Sequence, residues 1–199
     1  VRESQVYLLG ENTSFAQGAM MEPVACCLHG IDMCGIEPGH QVVVIGGGMI
    51  GLLMLQLARL AGASKVALLE PVEKKREMGR RLGADVCIDP LHEDVESRLK
   101  REGMTWIRCV IECAGLPATM EQAISLAGKK AVVMMFGLTR PDACISVKPF
   151  EIFQKELTLK ASYINPCTQL MSLHLIDSGR LDVESIVCYS IGLTELDSL

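Results

Sequence analysis

A chain of 199 residues that is 49% hydrophobic and 22% charged can bury its own core, which excludes a disordered segment and a small disulfide-stapled scaffold. Its net charge of −5 and its 4% aromatic content exclude the basic, ring-bearing surface of a nucleic-acid binder. The nine cysteines are an odd number with no secretory signal ahead of them, so free thiols in a reducing cytoplasm are expected.

The stretch from Val1 to Gly10 reads as a short strand, and Val1 in place of an initiating methionine suggests an excised piece. Ser14 and Gln17 have capping-box spacing, so a helix starts there. Pro23 restarts or kinks it, and helix continues toward Cys34. From Gln41 the pattern alternates. Strands are expected at Val42–Ile45, Lys65–Leu69, Asp85–Ile88, Ile107–Glu112, Ala131–Phe136 and Leu157–Tyr163. Helices fall between the first five, at Met49–Ala61, Glu73–Leu82, His92–Arg101 and Pro117–Leu126. Ala143–Val147 reads as a short edge strand, and Pro166–Ser178 as a last helix ending near Gly179.

Strands alternating with helices call for an α/β architecture, a doubly wound, six-stranded parallel sheet of the Rossmann type with helices on both faces. The longest apolar run, Val42–Leu55, contains four glycines and is followed by Gln56 and Arg59, so no membrane span is expected.

One motif carries chemistry. Val42–Ile45 runs into Gly46-Gly47-Gly48-Met49-Ile50-Gly51 and then a helix, the G-x-G-x-x-G pattern in the strand–turn–helix setting it requires. Gly46 permits the tight turn, Gly48 lets a pyrophosphate approach the backbone, and Gly51 lets helix and strand pack closely. The amides of Met49 and Ile50 would face the phosphates at the positive end of the helix dipole. Glu70 ends the next strand, where an acid accepts from both adenosine ribose hydroxyls and repels a 2′-phosphate; this favours NAD over NADP. The cluster Lys74, Lys75, Arg76, Arg80 and Arg81 is interspersed with Glu73 and Glu77 and reads as a solvated helix face. Lys75 alone is placed to reach the adenosine ribose.

These residues resemble a known family. Glu22-Pro-Val-Ala-Cys-Cys-Leu-His-Gly30, Pro38-Gly39, Val42–Gly51, Glu70-Pro71 through Lys75-Arg76, and Leu82-Gly83-Ala84-Asp85 look like the zinc-dependent medium-chain dehydrogenases, in the branch of the polyol (sorbitol) and threonine dehydrogenases. Ile111-Glu-Cys-Ala-Gly115 and Phe136-Gly-Leu138 resemble that family's fourth and fifth strand ends. The resemblance implies an NAD-dependent oxidoreductase that moves hydride from a secondary alcohol or polyol to the nicotinamide ring, with zinc lowering the pKa of the alcohol. It carries Ala114, Gly137, Leu138 and Tyr163 to the nicotinamide half, and Glu22 to the catalytic metal, directly or through water. It also implies a homodimer through an edge strand, near 143–147 here.

The family's other zinc ligands, a cysteine and a His-Glu pair, have no counterpart in this sequence, nor does its structural-zinc loop. The expected organisation is therefore a flank over 1–35, an NAD-binding domain over 36–178, and a C-terminal flank over 179–199 that leads back to an absent catalytic domain. Glu22, Cys26 and His29 share one helix face, but Glu22 and His29 would lie about 10.5 Å apart along the axis, too far for one zinc ion. Cys109 and Cys113 would lie about 13 Å apart on a strand. The chain alone is thus expected to bind NAD without turnover. A stand-alone NAD-binding regulatory or interaction domain is the alternative; a methyltransferase, which also places an acid after its second strand, matches the glycine pattern less specifically.

Overall fold

The computed structural model describes residues 2–192, 194 and 195. Its sheet is built from β1 (Gln41–Ile45), β2 (Lys65–Leu69), β3 (Val86–Ile88), β4 (Ile107–Glu112), β5 (Val132–Met135) and β6 (Thr158–Ala161), all parallel, in the order β3-β2-β1-β4-β5-β6. The helices are α1 (Phe15–Ala19), α2 (Met21–Cys34), α3 (Met49–Leu60), α4 (Glu73–Arg81), α5 (Val95–Arg101), α6 (Pro117–Leu126), α7 (Pro149–Lys155) and α8 (Gln169–Asp177).

Alternation along the strands sorts the core into two layers. Val42, Val44, Val66, Leu68, Cys109 and Ile111 point to the face covered by α2, α3 and α4. Val43, Ile45, Ala67, Leu69, Val110 and Val133 point to the face covered by α5, α6 and α7. Burial on both faces explains why β1 and β2 read as unbroken apolar runs. The doubly wound sheet is therefore as expected from the sequence.

Helix boundaries follow local chemistry. The Ser14 hydroxyl accepts from the Gln17 amide at 3.1 Å while the Gln17 side chain accepts from the Ser14 amide at 2.8 Å, the reciprocal capping box. Pro23 sits in the first turn of α2, where its missing N–H costs nothing, so the chain restarts there. α5 begins at Val95 rather than His92, because the Asp94 carboxylate caps it by accepting from the Ser97 amide at 2.7 Å. Far apart in sequence, α2 and α8 are joined by the Thr168 hydroxyl donating to the Ala25 carbonyl at 2.7 Å.

Three expectations are corrected. The N-terminal stretch forms a single 3-10 turn, Glu3–Gln5, and then irregular chain; Val6 and Leu8 are exposed, and among the described residues no strand pairs with them. Ala143–Val147 forms no strand, since the Ser146 amide donates to the Glu121 carboxylate at 2.7 Å, and β6 occupies the edge beside β5. The connection before β6 contains a helix, α7, that starts with Pro149 at its first position. Val1 and the end of the C-terminal flank lie outside the described residues.

Candidate functional site

The strand order reverses direction at β1, because β2 lies to one side and β4 to the other. The turns that follow β1 and β4 leave in opposite directions and open a crevice at the carboxyl ends of the strands, the place where ligands settle in such sheets. The crevice has a volume of about 650 Å³, and its walls include Gly46, Gly48, Glu70, Lys75, Ala114 and Thr119.

Three glycines shape the turn after β1 for different reasons. Gly46 has φ +98°, a conformation that a side chain would strain, and its amide donates to the Leu69 carbonyl at 2.8 Å. Gly51 lies so close to the turn that a Cβ would sit 1.8 Å from the Gly46 carbonyl oxygen. Gly48 is unlike both. Its φ is −72° and a Cβ there would meet nothing within 4 Å. Nothing among the described residues requires a glycine at 48, and the space a side chain would fill lies on the crevice wall. Gly48 is also the N-cap of α3, and no side chain caps the helix. The first amides of α3, Met49 and Ile50 among them, thus lack intrahelical acceptors at the positive end of a twelve-residue helix, a setting suited to a phosphate.

Glu70, 4% exposed, stands beside this turn. Its Oε2 accepts from the Gly47 amide at 2.7 Å and its Oε1 from the Val72 amide at 2.9 Å. The carboxylate therefore braces the glycine turn, and each oxygen keeps a further lone pair for a ligand hydroxyl. Sequence reasoning missed Gly47, whose significance appears only with the strand pairing that brings residues 47 and 70 together. Lys75 is exposed on the wall. Arg76 is not available to a ligand. Its Nη1 donates to the carbonyls of Glu70 and Pro71 at 2.7 Å each and pairs with Asp89 at 3.1 Å, while its Nε donates to Glu73 at 2.9 Å.

At the other end, Glu112 terminates β4 fully buried. The turn it begins packs backbone to backbone on the turn after β5, such that a Cβ on Gly137 would lie 2.3 Å from the Gly115 nitrogen. Ala114 lines the crevice; Gly137, Leu138 and Tyr163 lie outside its walls, with Leu138 and Tyr163 exposed beyond the strand ends.

Glu22 sits apart from the crevice, at the start of α2. Its Oε1 accepts from the Asn165 amide nitrogen at 3.0 Å and from the Cys26 thiol at 3.3 Å. Burial, followed by the Glu22 carboxylate, pushes the Cys26 thiol up to about 11, so it is not a ready thiolate ligand. Among the described residues no group of three or more His, Cys, Asp or Glu side chains could hold a metal ion. The described residues do not make a zinc site.

The model of the family described as "Zinc-binding dehydrogenase" matches residues 49–173. An uncharacterized zinc-type alcohol dehydrogenase-like protein of Escherichia coli (strain K12) is 31% identical over 189 residues, covering 94% of this chain and 53% of its own length. Scyllo-inosose 3-dehydrogenase of Thermotoga maritima is 31% identical over 192 residues, covering 92% of this chain and 48% of its own. Among solved structures, a candidate zinc-binding dehydrogenase from Sinorhizobium meliloti 1021 bound to NADP superposes with a TM-score of 0.96 at 34% identity, over 100% of this chain and 59% of that one. The chain spans about half the length of the curated relatives it matches.

Proposed function

The chain belongs to the zinc-binding dehydrogenase family, and from that premise we propose that it is the NAD-binding half of a zinc-dependent dehydrogenase of alcohols or polyols. The observation that carries the reading is one crevice walled by Gly46, Gly48, Glu70, Lys75 and Ala114, with an uncapped helix start beside it. The relatives support the substrate class, since they include D-arabinitol dehydrogenase 1 of Uromyces fabae, 25% identical over 189 residues.

In this reading the diphosphate lies against the amides of Met49 and Ile50, drawn by the helix dipole. Glu70 accepts from the adenosine ribose hydroxyls, and the Lys75 ammonium lies alongside. Ala114, Gly137, Leu138 and Tyr163 take the nicotinamide half. The bound dinucleotide supplies a ring that accepts hydride, and the chain supplies its orientation. The Sinorhizobium relative carries NADP; here a buried carboxylate opposes a 2′-phosphate, and Arg76 is already engaged by Glu73, Asp89 and two carbonyls.

Zinc belongs to the remainder of the parent enzyme, with Glu22 as this chain's contribution, direct or through water. Residues 36–178 are the cofactor domain, and 1–35 and 179–199 connect it to that remainder. The nine free cysteines support a cytoplasmic setting, and among the described residues no helix is long and apolar enough to cross a membrane. With 143–147 irregular, an edge-to-edge homodimer would use β6, and light scattering tests it.

Calorimetric titration tests the main reading: NAD binds at least about tenfold more tightly than NADP, the gap expected from ~1.4 kcal/mol of repulsion and lost hydrogen bonding. Equal affinities, or none for either, would overturn it. With zinc and an alcohol added, this chain alone generates no NADH absorbance.

A further inference from the structure

Two buried carboxylates stand at the strand ends beside the crevice, and the reading above uses only Glu70. Glu112 is fully buried, and no ion pair reaches it among the described residues. Its Oε1 accepts three hydrogen bonds, from the Ala114 amide at 2.8 Å, the Gly115 amide at 2.9 Å and the Thr119 hydroxyl at 2.7 Å. Its Oε2 has no partner and is also buried. That oxygen lies so near the turn after β5 that a Cβ on Gly137 would be 2.6 Å from it. A buried carboxyl group with one oxygen idle is costly, and a strand end needs no acid merely to fill space.

What Glu112 holds explains its presence. Ala114 and Thr119 are walls of the crevice, and Gly115 is the residue that packs on Gly137. One carboxylate oxygen thus gathers the turn after β4 and the first turn of α6, and seats both on the turn after β5. We propose that Glu112 is a positioning residue for the nicotinamide end of the cofactor, which rests on the reading that Ala114, Gly137 and Leu138 take that end. Glu112 itself touches no cofactor. The adenosine end depends on Glu70, which shares no hydrogen-bond partner with Glu112.

The two ends separate experimentally, because ADP-ribose carries everything in NAD except the nicotinamide ring. Glu112→Gln keeps the size but turns one of the two oxygens into an NH2 donor, which disturbs either the three bonds made at Oε1 or the packing of Oε2 against the turn after β5. Its affinity for NAD falls about tenfold while its affinity for ADP-ribose stays within about twofold of wild type. Thr119→Val deletes one of the three donors and Thr119→Ser, on the same crevice wall, keeps it; an NAD loss of about threefold in the first and none in the second decides the matter if Glu112→Gln does not fold. Equal losses for both ligands would assign Glu112 a general structural role, and unchanged NAD binding would remove any role; either overturns the proposal. A wild-type chain that bound neither ligand would instead overturn the cofactor reading, and this inference with it.

Discussion

The Gly47 amide donates to Glu70 Oε2 at 2.7 Å, and a Cβ on Gly47 would fall 2.9 Å from Glu70 Cγ. The middle glycine of the turn is thus fixed by the acid across from it. Gly47→Ala should push the carboxylate away and weaken both bracing and ribose contact. We expect NAD affinity to drop about tenfold, the loss of one hydrogen bond to a charged group. Calorimetry that found wild-type affinity in this variant would sever the link between residues 47 and 70.

Gly48 and Gly51 should separate cofactor demand from folding demand. Gly51→Ala drives a methyl into the Gly46 carbonyl 1.8 Å away, at a cost on the order of 3 kcal/mol. Its thermal midpoint should fall by roughly 10 °C. Gly48→Ala meets no atom within 4 Å, so stability should change by about 1 kcal/mol at most. NAD binding should nevertheless fall at least about tenfold, since in the proposed reading the methyl stands where the pyrophosphate approaches. Thermal melts with and without NAD read both effects; tight NAD binding by Gly48→Ala would contradict the crevice assignment.

Acid should loosen the link between β3 and α5. Glu93 accepts from the Asp89 amide at 3.0 Å and pairs with Arg98 at 2.6 Å. The Asp89 amide first, and Arg98 after it, hold the Glu93 carboxyl below the usual carboxylate range. A folded pKa below the unfolded one means that the contribution is complete above the unfolded value of about 4.3 and is lost as pH falls through the folded value. The thermal midpoint should therefore be insensitive to Glu93 from neutrality to about pH 5 and then decline. In Glu93→Gln the acid limb should be shallower; an identical limb would show that the pair contributes nothing.

Thiol chemistry should divide the nine cysteines. Cys144, Cys167 and Cys188 are exposed, whereas Cys27, Cys34, Cys87 and Cys109 are buried. Burial raises the Cys27 and Cys87 thiols, and the neighbouring Cys34 together with burial raises Cys109. Mass spectrometry after brief alkylation at neutral pH should find label on the exposed three and none on the buried four until denaturant is added. Label on Cys109 in the folded protein would mean that α2 lifts from the sheet.

The succession of strands along the chain was legible because both faces of the sheet are covered, so the central strands are written as unbroken apolar runs that punctuation by glycine and helix signals sets apart. α7 was not, because Phe150 and Phe153 are exposed and no apolar stripe marks its inner face. The 143–147 stretch has strand-like alternation, yet a strand exists only beside a partner, and its Ser146 amide is taken by Glu121. At the site, the glycine pattern and Glu70 could be read from spacing alone. The contacts of Gly47 and Glu112 could not, since they join atoms brought together by pairing and packing. The basic cluster after Glu70 read as a solvated face, but Arg76 is buried and clamps the turn, a role set in part by Asp89 just after β3.

Thr168 and Ala25, joined by one hydrogen bond, stand 143 positions apart. A ribosome delivers α2 well before α8, so the apolar side of α2 that awaits its cover is bare while the residues between them are made. Nascent chains stalled before Thr168 should therefore be chaperone clients, and translation speed through that stretch becomes a determinant of yield.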